Sequence, residues 1–339
     1  RRPVWVGGGE RTMKEQEKSG VEIREFPVPG SVSPQLAALM RRKPYAWWNT
    51  HLSSKEEWKA WAGELSSRNG ALLPALCRRM RVRCEEGHMG GVHVYRLIPE
   101  EESPAGKGRM LLHFHSGGFL INTGDAAPLE AVMMCGITGM RAVSVDYRSL
   151  PGYAYPAPME DAVNVYRELL ESFAPGCVGV FGSSSGGALT LELVLHARLA
   201  GLPQPGALAA GTPCTDFTPT GDSFATNEGV DNVLVSYSGW LTDAVRMFAA
   251  GHDLTDPLIS PIRADVSGFP PVMLTCGTRD LFLSSTVRMH RKLREAGVPA
   301  DLVVIEGASH MQYAMLPDAP ETAYHFRELG RFFDTCLGR

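Results

Sequence analysis

The stretch FGSSSGGA, residues 181–188, sets three serines between glycines, and only Ser184 stands at the centre of Gly-x-Ser-x-Gly. Shifting the frame by one residue either way loses a flanking glycine. A serine becomes a nucleophile when its hydroxyl is held clear of the chain and a base takes its proton. A sharp strand-to-helix turn does the first, with the flanking positions free of side chains and the nucleophile in strained φ/ψ. Val178–Phe181 before the motif reads as a buried strand. The pattern from Ala188 reads as a helix whose first N–H groups face the reaction centre. Ser183 and Ser185 then fill small positions, and Ser185 contributes its backbone N–H rather than its hydroxyl. The bland alternative is a Gly/Ser turn gripping a phosphate, but no Lys follows the glycines as a P-loop requires. A second glycine stretch, His115-Ser116-Gly117-Gly118-Phe119, follows the apolar run MLLHF. Acyl transfer needs N–H donors aimed at an oxyanion, and a glycine loop lets the backbone come close enough. His115 is expected to hold this loop by hydrogen bonds. His113 and His115 share a strand face, yet no third ligand completes a metal set, so no metal is expected.

Positioning these groups takes strands that end where the chemistry sits. From about residue 81, RVRCEE and GVHVYRLIP flank GHMGG, which predicts a hairpin. Next come MLLHFH, RAVSVDY, CVGVFG, ALAAG, PVMLTCG and ADLVVIEG, with helical patterns such as APLEAVMMCGITG, PMEDAVNVYRELLESF, ALTLELVLHARLAG and SSTVRMHRKLREAG between them. This alternation predicts an α/β fold with a mostly parallel central sheet and helices on both faces. Residues 1 to about 80 show no obvious strand. There Ser33-Pro34 sets an N-cap and first turn, Pro44 stops that helix, Ser53 and Glu56 read as a capping box, and ALLPALCRRM is a third short helix. Trp58, Trp61 and Leu65 fall on one helix face. With Trp47 and Trp48, these tryptophans are expected to pack helices first and to wall an acyl pocket second. The polar, turn-rich stretch 215–262, with one helix at SGWLTDAVRMFAAG, reads as an insertion over the top of the sheet. The expected organisation is a helical cap segment over 1–80, a catalytic domain over 81–339, and a cap-contributing insertion at 215–262, forming a lid above Ser184.

In its motifs and their order the chain resembles the hormone-sensitive lipase-like branch of the α/β-hydrolases. That branch carries His-Gly-Gly-Gly where this chain has His115-Ser116-Gly117-Gly118, and Gly-Asp-Ser-Ala-Gly-Gly at the elbow. Asp146-Tyr147-Arg148, Pro151, Pro156 and Glu160-Asp161 match its Asp-Tyr-Arg stretch. Ser260-Pro261 and Gly268-Phe269-Pro270-Pro271 match its approach to the next catalytic strand. The resemblance covers most of the chain, loosely over the first eighty residues. It implies oxyanion donors at Gly117 and Gly118, both retained, with Ser116 in the place of the first glycine. It also implies the chain order nucleophile, acid, histidine. Asp280 follows PVMLTCG and His310 follows ADLVVIEG, each just past a strand end, where such sites collect. Ser184, Asp280 and His310 are therefore the expected triad. Ser184 attacks, His310 takes and returns the proton, and Asp280 fixes the tautomer. In isolation Asp280 would read as a loop cap and His310 as a surface histidine; order and placement reverse both. Where the family writes a second acid, this chain has Ser284, expected to cap the next helix.

The resemblance implies a cofactor-free carboxylic ester hydrolase acting on short- to medium-chain acyl esters. A lactone hydrolase or an amidase would use the same residues. A non-catalytic ligand-binding member is the alternative of another class, and the complete triad argues against it. Among 339 residues, 44% are hydrophobic and 21% charged, with a net charge of −4. This is ordinary globular composition and shows no basic excess for nucleic acid. No apolar run is long enough to span a membrane. The start, RRPVWVGGGERTMKEQEKSG, lacks the apolar core of a signal peptide, and without an initial Met it is expected to be trimmed or processed. Seven cysteines at irregular spacing read as free thiols, hence a cytoplasmic expectation. The expected partner is a small-molecule ester, and a homodimer stays open.

Overall fold

A computed structural model of the chain describes residues 20–338. The expectation that the chain starts without a signal peptide falls on residues 1–19, outside the described residues. Three helices open the described chain: α1 (Pro34–Met40), α2 (Lys55–Gly70) and α3 (Leu73–Met80). Ser33 caps α1 as expected, accepting from the Leu36 N–H at 3.1 Å. The capping box of α2 sits one residue later than the sequence suggests. Ser54 Oγ accepts from the Glu57 N–H, and Glu57 Oε2 accepts from the Ser54 N–H at 2.9 Å. Glu57 reaches back because it occupies the third helical position from that cap.

Eight strands form one sheet: β1 (Val82–Met89), β2 (Val92–Pro99), β3 (Met110–Phe114), β4 (Ala142–Val145), β5 (Val178–Ser183), β6 (Ala207–Gly211), β7 (Val272–Gly277) and β8 (Ala300–Ile305). Their order is β1-β2-β4-β3-β5-β6-β7-β8. The β1–β2 and β2–β4 pairs are antiparallel and all others parallel. The hairpin turn shrinks to Gly90-Gly91, because His88 and Met89 pair with His93 and Val92. Between the strands run α4 (Leu129–Thr138), α5 (Ala157–Leu169) and α6 (Ser185–Leu199), then the short α7 (Ser223–Thr226), α8 (Trp240–Ala249) and α9 (Leu283–Glu295); α10 (Pro320–Cys336) closes the chain.

Period-two side-chain alternation divides each strand between two cores. Leu112, Phe114, Val143, Val145, Val178, Val180, Leu208 and Leu274 face one core, with residues of α5, α6 and α9. Leu111, Ala142, Phe181, Ala209 and Met273 face the other, with α4 and α10. Burial on both faces explains why the interior strands β3 to β7 read as near-continuous apolar runs, whereas the edge strand β1 is polar and largely exposed. The seven cysteines are free thiols, and among the described residues no helix is long and apolar enough to cross a membrane.

The consequence of this order is placement. β3 and β5 are neighbours, so the loop after one and the elbow after the other lie side by side. β6, β7 and β8 follow on one flank, and their C-terminal ends deliver Thr212, Asp280 and His310 to the same edge.

Candidate active site

Ser184 leaves β5 with φ +58° and ψ −121°, a conformation non-glycine residues rarely hold, and α6 starts at the next residue. Its N–H donates to Gly211 O at 2.8 Å, which pins the turn to β6. The flanking glycines are required by contact. A Cβ on Gly182 would lie 2.4 Å from Phe114 O, and one on Gly186 would lie 2.0 Å from the same atom. The elbow thus presses its backbone onto the end of β3, where the loop carrying Gly117 and Gly118 begins. The three serines differ in what they touch. Ser183 Oγ donates to Glu130 Oε1 at 2.6 Å in the buried interior. Ser184 is 8% exposed and opens on the cavity. Ser185 is the first residue of α6, so its N–H has no intrahelical acceptor.

The loop after β3 carries positive φ at Gly117 (+118°), Gly118 (+63°), Phe119 (+60°) and Asn122 (+66°). Leu120 and Ile121 N–H groups turn back onto Gly117 O at 3.1 and 3.0 Å. His115 secures the base of the loop. Its Nδ1 donates to Ser116 O at 2.8 Å, its ring stacks on Tyr147 at 4.0 Å, and Tyr147 Oη donates to its carbonyl at 2.7 Å. Burial pushes its imidazole down to about 4, so it is neutral near pH 7. His113 Nδ1 meets Ser144 Oγ at 2.9 Å and its Nε2 faces Glu130 at 3.5 Å.

His310 Nδ1 donates to Asp280 Oδ1 at 3.1 Å. Asp280 is fully buried and also accepts from the Phe282 N–H at 2.8 Å and from the Thr212 hydroxyl. A second buried carboxylate, Asp231, lies behind the pair. It accepts N–H groups from Leu281 (2.8 Å), Val233 (2.8 Å), Leu234 (3.1 Å) and His310 (3.3 Å). Burial, then repulsion by Asp280, pushes the Asp231 carboxyl up to about 6. For His310, burial acts to lower its pKa, but the Asp280 charge and hydrogen bond and the Asp231 charge outweigh it, so the net shift is upward. Asp231, Asp280 and His310 bring ligand-type atoms within 4.8 Å of one another. The carboxylate oxygens of Asp231 and Asp280 accept from the protein donors just named, the pattern of an acid-supported base. Ser284 departs from expectation. It does not cap α9; its Oγ accepts the Ser223 N–H at 2.9 Å and ties the start of α9 to the insertion.

Ser184, His310, His115, Gly117 and Gly118 line one cavity of about 1000 Å³, part of it open to solvent. Its remaining wall is mostly apolar, with Ile121, Leu129, Met133 and Met315 from the sheet side. Tyr45, Trp47 and Leu65 come from the N-terminal helices, and Val233, Leu234 and Trp240 from the insertion. Trp47 packs against Trp240 at 5.8 Å, joining the two segments. Trp48 and Trp58 are buried packing residues instead, 1% and 4% exposed.

A family model for the α/β-hydrolase fold matches residues 111–314, more than half of the chain. The chain belongs to the α/β-hydrolase fold family. Among solved structures, this hydrolase is similar to esterase E25, with 38% identity, a TM-score of 0.89, and coverage of 94% of this chain and 98% of that one. Among characterised relatives it is 27% identical to an acetyl-hydrolase of Streptomyces hygroscopicus, over 80% of this chain and 93% of that protein. It is 25% identical to an esterase of Acinetobacter venetianus, over 69% and 78% of the two chains.

Four polar residues of this α/β-hydrolase site escape a reading of the sequence. Thr212 follows β6 directly, so the strand-end rule that finds Asp280 and His310 could find it too. Glu130 is a lone acid in an apolar helix pattern, a detectable oddity. Asp231 and Asn122 lie in irregular segments whose polar residues look alike until folded.

Proposed function

We propose that the chain is a serine carboxylic ester hydrolase that cleaves short- to medium-chain acyl esters through an acyl-enzyme on Ser184. The observation that carries this is the convergence on one apolar cavity of a serine held at φ +58° and a histidine backed by a buried carboxylate. His310 Nε2 takes the Ser184 proton as Oγ attacks the acyl carbon. Asp280 holds Nδ1–H in place and stabilises the imidazolium. The oxyanion is met by N–H groups of Gly117, Gly118 and Ser185. The imidazolium then protonates the leaving alcohol. In the second half His310 activates water, which attacks the acyl carbon, and Ser184 departs with the returned proton. No group beyond the chain's own residues is called on.

The names of relatives support this: esterase and ethyl acetate hydrolase denote action on esters, and acetyl-hydrolase denotes removal of an acetyl group. The N-terminal segment to about residue 80 and the 215–262 insertion act in this reading as a cap, supported by their shared wall above Ser184. Cytoplasmic residence rests on the seven unpaired thiols. The test is turnover of p-nitrophenyl esters from acetate to octanoate. Activity should peak among the shorter chains and vanish in Ser184→Ala, and an organophosphate should label Ser184. An inactive wild type, or a label on another serine, would overturn the reading.

A further inference from the structure

The loop that carries Gly117 and Gly118 is tied from outside the sheet. Asn69, in the last turn of α2, donates through Nδ2 to Asn122 Oδ1 at 2.8 Å. Asn122 Nδ2 donates in turn to Ser116 Oγ at 3.2 Å. Asn122 and Ser116 are 5% and 7% exposed, so the second bond is buried, while the first, from half-buried Asn69, is partly so. One turn earlier on the same helix face, Ser66 Oγ accepts from the Thr123 N–H at 3.3 Å and faces the Thr123 hydroxyl at 3.4 Å. Residues three apart on a helix share a face, so α2 holds the end of the segment 116–123 directly, at Asn122 and Thr123, and reaches its start at Ser116 through Asn122. Ser116 stands where the resembled family has glycine, and its hydroxyl is what the chain of amides reaches.

We propose that Asn69 and Asn122 are positioning residues for the oxyanion hole, so that docking of α2 and the aim of the Gly117 and Gly118 N–H groups are one coupled arrangement. The physical reason lies in the loop. Four of its residues have positive φ and no strand pairs with it, so few bonds decide where its N–H groups point. His115 and Tyr147 fix its start, and Gly117 O gathers Leu120 and Ile121. The side chain of Ser116, immediately before the two donors, is held only by the amide of Asn122 among the described residues. A hydrogen-bond donor displaced by a fraction of an ångström still binds substrate yet meets the oxyanion poorly, and that loss appears in kcat rather than KM.

The inference rests on the ester hydrolase reading of the cavity. Its test is a double-mutant cycle between Asn69→Leu and Ser116→Ala, which do not hydrogen-bond each other and, among the described residues, share a hydrogen-bond partner in Asn122. The substrate is p-nitrophenyl acetate, whose acyl group is too small to make acyl-chain contacts a main term in KM. Each single variant should lose about 10- to 100-fold in kcat, with KM within about twofold of wild type. The double variant should be no worse than the worse single one, because either change breaks the same relay. Asn122→Asp keeps the acceptor for Asn69 and can accept from a reversed Ser116 hydroxyl, so it should retain more kcat than Asn122→Leu, although the buried negative charge beside the oxyanion keeps it below wild type. Affinity for a trifluoromethyl ketone, which forms an oxyanion on Ser184, should fall in step with kcat/KM. Unchanged kcat with a lowered Tm, or losses that add in the double variant, would overturn the relay and reduce these residues to packing. Should Asn69→Leu fail to fold, Ser116→Ala and Asn122→Asp carry the same comparison at the loop end. An inactive wild type would overturn the ester hydrolase reading itself, whereas an active wild type with unaffected variants overturns the relay alone.

Discussion

Replacing Asp231 by asparagine isolates the charge that stands behind His310. The carboxylate accepts four N–H groups, from Val233 and Leu234 on Oδ1 and from Leu281 and His310 on Oδ2. An amide turns its NH2 toward one of these pairs, so two buried N–H groups lose their acceptor, at about 1–3 kcal/mol each. Opposing this is the like charge removed from beside Asp280. Burial and that repulsion push the Asp231 carboxyl up to about 6 from its ordinary 3.8, so keeping it ionised in the fold costs about 3 kcal/mol above that pH. The terms partly offset at pH 7.5, where Asp231→Asn should lie between about 1 kcal/mol more stable and about 3 kcal/mol less stable than wild type. The pH dependence is sharper. Between pH 3.8 and about 6 the folded carboxyl holds a proton that the unfolded chain has released. That contribution to stability is present below the window and is lost as pH rises through it. Thermal unfolding across this range should therefore show a flatter profile in the variant than in wild type. Catalysis reports the same charge. Asp231 helps hold the His310 pKa up, so its loss lowers that pKa and the acid limb of kcat/KM against pH moves to lower pH. The plateau should fall by less than about tenfold, since Asp280 still orients the ring. An acid limb that stays in place or moves up would refute this electrostatic account of the site.

Other changes separate the remaining parts. Ser183→Ala leaves Glu130 Oε1 without its donor, so stability should fall by about 1–3 kcal/mol in thermal unfolding while much of the turnover persists. Gly118→Val sets a β-branched residue at φ +63° with its Cβ 2.7 Å from the Trp240 ring. It should lower kcat by about 100- to 1000-fold, and near-normal turnover would place the oxyanion donors elsewhere. Trp47→Ala removes an indole from the cavity wall, so preference along a series of p-nitrophenyl esters should move toward longer acyl chains; an unchanged series would mean that Trp47 only packs.

Much of this site is legible in the sequence because it is written in backbone rules. Glycine at 182 and 186 with serine between them has few other uses after a buried strand, and the contacts at Phe114 O show why. Asp280 and His310 can be picked out because each sits just past a strand end, a local signal. The interior strands β3 to β7 are readable for a similar reason: buried on both faces, they must be spelled in apolar runs. Tertiary structure alone decides everything that depends on which loops meet. Asp231 lies about eighty residues before His310, and no local pattern marks an aspartate whose partners come from three segments. Ser284 reads as a helix cap because sequence shows only its own helix; in the fold its hydroxyl meets Ser223, from the insertion. Asn69 and Asn122 look like ordinary polar surface residues, and their bond exists because α2 docks on the loop after β3. Short-range geometry constrains a turn through steric exclusion, which a few residue types express. A long-range polar contact is specified by the packing of apolar faces elsewhere, and the polar residues that profit from it carry no signature of their own.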